Sequence, residues 1–390
     1  MTAAVWLAAA GLGSRAVAQE IEVRVVVPKE AVRLVQDAVE RVIDPRLWAG
    51  LSQELTQALH EALTGSHEAA REIAASIRGS LERWREGAGW VDPSAWQDRT
   101  FRDERTDKAT HTLQIGPSGS LQLRNLVGDI TVTAGSGRTA TVEVVRRSRG
   151  RTAADAALGL DRVRVEVDQR GERATLLTRY PDERRPPYAV SVTYVVTAPP
   201  GTSVTIASMA GDVKVTGLSG DVSVDLTSGD VTIGSSQVSA VKTVSGDVTI
   251  TDAASPGRLS VSTISGDVRL DRIKARRLAL SVVTGDITAR NVEAGDVELG
   301  SHSGDLEFSG GLVRSGRYEL RTHSGEIRVS IPKDDFDLVA RSFSGRITTD
   351  ATLNLRATTT SRSTLRGTVG GGGASLELTT FNGNITISRK

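Results

Sequence analysis

The chain has 390 residues, with 48 Lys and Arg against 47 Asp and Glu and a formal net charge of +1. That balance gives no electrostatic footprint for nucleic acid or for an anionic membrane surface. Cysteine is absent and aromatic residues make up 4% of the chain; the first excludes disulfides, zinc–thiolate sites and thiol nucleophiles, and the second weighs against a lectin, because carbohydrate sites usually want aromatic platforms.

The first 18 residues read as a signal peptide. An apolar run over Ala3–Gly13 precedes Ala16, Val17 and Ala18, an A-x-A site before Gln19, although Met1 and Thr2 supply no basic n-region. No other apolar run approaches the ~20 residues of a membrane-spanning helix, so no transmembrane span is expected. Residues 19–86 read as a small α-helical N-terminal region. Leu34, Val35, Ala38 and Val42 form one stripe, Leu51, Leu55, Leu59 and Ala62 a second, and Ile73, Ala74, Ile77, Leu81 and Trp84 a third. Residues 87–110 lack periodicity and read as a linker. No helical period of comparable length follows residue 160. The row Arg146, Arg147, Arg149 and Arg151 carries no interleaved aromatics and reads as a solvated edge.

From residue 111 to 390 the pattern is β. Short alternating segments lead to a strong strand at Tyr188–Ala198 with a Pro199-Pro200-Gly201 exit. A Gly-Asp phrase then recurs, with its glycine at Gly211, Gly220, Gly229, Gly246, Gly266, Gly285, Gly295 and Gly304. Degenerate copies follow at Gly325, Gly345 and Gly383, and an early one sits at Gly128. The period is near 20 with an inserted half-period near 10 at Gly295, the mark of a repeat architecture. Alternating Val, Ile, Leu, Thr and Ser flank each glycine, so each repeat reads as strand, corner, strand. Two architectures fit: an antiparallel meander with Gly-Asp as its hairpin loops, or a right-handed parallel β-solenoid of about 20 residues per turn. In-phase corners between segments of varying composition favour the solenoid.

This pattern resembles the bacterial DUF4097 family of proposed adhesins. The features that carry it are the segment Leu121–Ile130 with its Gly128-Asp129, the strand and proline-glycine exit over Tyr194–Gly201, and the serial corners from Gly211. The resemblance spans about residues 110–390 and implies a cell-envelope or secreted β-solenoid without known catalytic residues. The helical segment 28–86 is not part of that pattern.

Two sets of side chains invite a chemical reading. Asp247, Asp267, Asp286 and Asp305 hold equivalent corner positions, as clustered carboxylates do in polysaccharide-active β-helices. A ladder of turn-capping aspartates is the simpler account, because later copies carry Glu326, Arg346 and Asn384 there. His302 and His323 each precede a Ser-Gly corner one repeat apart, with Val283 before them and Phe343 after. In a solenoid these four stack in one column. Two imidazoles without a third ligand make a poor metal site. The sequence therefore predicts no catalytic, cofactor-binding or metal site and no cofactor. It predicts an exported envelope or surface protein with a non-enzymatic scaffolding or adhesin-like role and a protein or polysaccharide partner. A polysaccharide-active enzyme using the corner carboxylates and an envelope sensor module are the alternatives.

Overall fold

The computed structural model describes residues 100–389 apart from 182–185, 333–334, 351–352, 354 and 362. The expected signal peptide, the helical region 19–86 and the linker up to residue 99 lie outside the described residues. The described chain is mainly β, with one α-helix.

Successive corner repeats pair in parallel and in register. After the corner, Val231 lies beside Val248, Val268, Ile287, Leu306 and Ile327 in turn. Before the corner, Val224, Val241, Val261, Leu280, Leu299 and Leu320 form the matching row. All of these side chains are buried. Period-two alternation sends one set inward and the other to solvent, and each inward set meets its own kind one rung away. Serial parallel pairing excludes the antiparallel meander for this region.

The corners are formed by a column of glycines. Gly211, Gly229, Gly246, Gly266, Gly285, Gly304 and Gly325 all have positive φ, from +118° to +153°. Gly220 and Gly295, which the sequence places in the same series, do not. Gly295 lies within the strand Ile287–Ser303, so the half-period insertion is not a corner. Without those two, the corners from Gly211 to Gly325 are spaced 17 to 21 residues apart. The five turns that begin at Gly211, Gly229, Gly246, Gly266 and Gly285 each have a second corner that carries no sequence phrase. There Gly217, Ser235, Asp252, Arg272 and Asn291 adopt left-handed backbone with φ between 47° and 83°.

At the C-terminal end, spatial order departs from chain order. The strand Ile385–Arg389 pairs with Ile327–Ile331 on one side and with Ile347–Thr349 on the other. Ala374–Asn382 likewise lies between Leu306–Ser324 and Phe336–Ser344. The last rung in sequence is thus the penultimate rung in space. A hairpin of Leu355–Thr360 and Thr364–Val369 pairs antiparallel onto Phe336–Ser344.

The N-terminal end is closed by an excursion between the first and second rungs. Asp103–Leu113, Ala140–Gly150 and Tyr188–Ala198 form an antiparallel set. Residues 103–110, read from the sequence as the end of a linker, are therefore part of a strand. The arginine row belongs to this set: Arg146 pairs with Asp107, and Arg147 and Arg149 with Glu104. Ala153–Arg162, within the region read as strands, is the one described helix. Thr152 and Asp155 close a capping box at its start.

Candidate functional site

The corner carboxylates are used by the fold. Each Oδ1 accepts the backbone N–H of the corner residue one rung on, from Asp129 to Asp212, Asp230, Asp247, Asp267, Asp286, Asp305 and Glu326 in turn, at 2.8 to 3.0 Å. The acceptor follows from the corner: glycine turns the chain, and the next N–H points along the stack with no ladder carbonyl to receive it. Arginines placed two residues further on offset the repulsion between neighbouring carboxylates. Arg269 bridges Asp247 and Asp267, and Arg328 bridges Asp305 and Glu326. The hydrogen bond to Asp247 leads the effects that hold the Arg269 guanidinium above its ordinary value. Because an amide oxygen accepts as a carboxylate oxygen does, Asp267→Asn is expected to change stability by no more than ~0.5 kcal/mol in a urea titration. Asn384 already makes this contact, accepting from the Arg346 N–H at 3.0 Å. A large loss in Asp267→Asn would give the carboxylate charge a role beyond the turn.

A second set of side chains faces away from the core just before the corner. The imidazoles of His302 and His323 stack with centroids 5.0 Å apart and planes 1° from parallel. His323 stacks on Phe381 at 4.9 Å, and Phe381 on Phe343 at 4.6 Å. The column predicted from sequence exists, with one correction. Phe343 does not follow His323 directly, because the C-terminal rung puts Phe381 between them. Register alone aligns these side chains, since every rung repeats the same corner. The residue between column and core is a buried Ser or Thr whose hydroxyl donates to a glycine carbonyl one rung away. Thr322 binds the Gly304 oxygen at 3.0 Å, Thr380 that of Gly325 at 3.1 Å, and Ser342 that of Gly383 at 2.8 Å. These bonds fix the strand at the point where the rings project.

Phe343 is 70% exposed and Phe381 48% exposed, unusual for large apolar side chains in so aromatic-poor a chain. The four rings and Val283 line a groove of about 820 Å³. A second outward column two residues earlier lines it too, with Ser281, Gly300, Arg321, Thr379 and Arg341. Ser363 and Thr364, at the turn of the C-terminal hairpin, form one end. Phe343 also borders a separate cleft of about 880 Å³ beside Arg346 and Asn384. Arg321 pairs with Glu319, and Arg341 with Glu377 at 3.0 Å. Among the described residues, no group of three or more His, Asp or Glu is arranged to hold a metal ion.

Residues 236–388 match the Toastrack DUF4097 family model. The resemblance to DUF4097 stands. The matched DUF4097 segment contains the ladder, the groove and the corners from Gly246 onward, but not residues 110–235, over which the sequence features extended. No curated protein matches the chain. Among solved structures, it is similar to a proposed adhesin from Bacteroides fragilis at 16% identity, covering 73% of this chain and 97% of that one, with a TM-score of 0.32. A proposed adhesin from Parabacteroides merdae matches at 11% identity over 73% and 96% of the two chains, with a TM-score of 0.29. A proposed cell adhesion protein from Clostridium sporogenes matches at 10% identity over 74% and 100%, with a TM-score of 0.22. Overlaps this loose carry no functional argument beside the DUF4097 match.

Proposed function

We propose that this is an exported, non-enzymatic protein of the cell envelope, built as a right-handed parallel β-solenoid of about 20 residues per turn, and that its aromatic ladder is a binding face in a scaffolding or adhesin-like role. The observation that carries the reading is the ladder His302, His323, Phe381 and Phe343, exposed along a groove. Exposed aromatic side chains gathered in one place mark recognition surfaces, because they bury much area for little lost conformational entropy. The corner carboxylates needed by the alternative enzyme reading are committed to backbone N–H groups and arginines. No described helix is long and apolar enough to cross a membrane. Export rests on the A-x-A site before Gln19.

The test is retention of the full chain on envelope preparations from the native host. The double substitution Phe343→Ala/Phe381→Ala is expected to weaken retention about tenfold or more, since a truncated aromatic anchor costs over ~1 kcal/mol. Equal retention would remove the ladder as the binding face. Cleavage of uronic-acid polysaccharides, assayed with and without calcium, would replace the reading with the enzymatic one.

A further inference from the structure

We infer that the ladder groove takes an acidic glycan, a linear polysaccharide bearing one carboxylate per sugar; this rests on the ladder being a binding face. The argument begins with what the stacked rings leave open. His302, His323, Phe381 and Phe343 lie within 6° of parallel at each step, so each inner ring is covered on both faces by its neighbours. What they present to the groove is their edges. An aromatic ring is negative on its face and positive at its edge, and an imidazole edge carries a nitrogen donor. A neutral sugar that recognises aromatics by lying flat on them finds no free face on the two inner rings, only the outer faces of the end rings His302 and Phe343.

The charges lining the groove agree with the ring edges. Among the described residues, its ionisable lining groups are His302, His323, Arg321 and Arg341, with no Asp or Glu. Glu319 and Glu377 each engage one arginine from outside the lining, which fixes the guanidinium while leaving donors of its five free for a further partner. Guanidinium matches a carboxylate in two parallel hydrogen bonds. Ser281, Thr379 and Thr364 add hydroxyls suited to the sugar hydroxyls of the same ligand. The rings repeat along the stack 4.6 to 5.0 Å apart, and Arg321 and Arg341 stand two rungs apart beside them with Thr379 between. A polymer with regularly spaced carboxylates can therefore follow the column. Nucleic acid fits less well, because its bases call for a series of open aromatic faces and the inner rings His323 and Phe381 present none.

The experiment is titration calorimetry of the full chain with a galacturonic-acid hexamer and with its carboxyl-reduced neutral counterpart, alongside NMR of the His302 and His323 side chains. The acidic hexamer is expected to bind and to shift both imidazoles. The neutral one should bind about tenfold more weakly or worse, and Arg321→Gln/Arg341→Gln should cost the acidic hexamer a similar factor. Both arginines are exposed, and a thermal melt of the double variant controls for folding. Equal binding of the two hexamers, abolished by Phe343→Ala/Phe381→Ala, would overturn the acidic class and leave the groove as a binding face. Acidic binding untouched by either double variant would place the site elsewhere and overturn the inference. Failure of both hexamers to bind would overturn it too, leaving the binding face to be judged by envelope retention alone.

Discussion

Gly266→Val is expected to destabilise the protein by at least ~3 kcal/mol, while Gly257→Val, nine residues away, changes stability by no more than ~0.5 kcal/mol. Gly266 has φ +133°, a backbone region that a side chain makes strained, and a Cβ built there falls 2.2 Å from the Gly246 carbonyl oxygen. That oxygen belongs to the corner one rung away and cannot move without shifting its own rung. The strain alone amounts to ~1–3 kcal/mol. Separating the rungs also weakens the hydrogen bonds from the Gly246 N–H to the Ser265 oxygen and from the Asp267 N–H to Asp247. Gly257 has no positive φ and no atom within 4 Å of its would-be Cβ. Urea denaturation of both variants makes the comparison. Hydrogen exchange should place the Gly266→Val damage in the adjacent rungs, as expected when each repeat contacts only its neighbours. If the two variants unfold alike, the glycine column is not what sets the corner.

The same pair shows why some of this fold is legible in the sequence. A position that demands φ near +130° admits glycine almost alone, so the corner repeats as a residue type and the register can be counted from it. Counting residues from corner to corner is enough to bring His302 and His323 into one column. The second corner is equally regular in space but is held by Ser235, Asp252, Arg272 and Asn291. Near φ +50° the left-handed region is small but open to residues with side chains, so no single letter marks it. Gly295 misleads in the opposite sense, because a Gly-Asp pair inside a strand is spelled like a corner. The helix at Ala153–Arg162 is signalled by the capping pair Thr152 and Asp155, which a search for period-two alternation passes over. As for the candidate site, both histidines and Phe343 are visible by register. Phe381 is not, since its place depends on a strand order that local pattern does not encode.

That strand order leads to the second large effect: deletion of residues 374–390 is expected to cost more than ~4 kcal/mol and to strip hydrogen-exchange protection from residues 336–344. In chain order, the rung holding Phe343 and Gly345 would stack directly on the rung of His323 and Gly325. Its letters permit this, because Ser-Phe-Ser-Gly and Thr-Phe-Asn-Gly are interchangeable at a corner. Instead the C-terminal rung lies between them, with a parallel partner on each side. Gly370–Gly373 return the chain from the hairpin to this slot, and the Gly372 N–H donates to the Val369 oxygen at 3.2 Å. The inserted rung buries Leu376, Leu378, Ile385 and Ile387 completely, each worth ~1.5–3 kcal/mol when removed from water. Even after discounting for a denatured chain that already hides part of this surface, the loss exceeds ~4 kcal/mol. Phe336–Ser344 then keeps only its antiparallel hairpin, and Phe343 loses the ring beneath it. Rungs from Gly211 to Gly285 touch none of the deleted residues and should stay protected. Unchanged protection at 336–344 in the truncated chain would mean that this rung had dropped onto Arg317–Ser324 without penalty, and that the inserted strand adds no stability of its own.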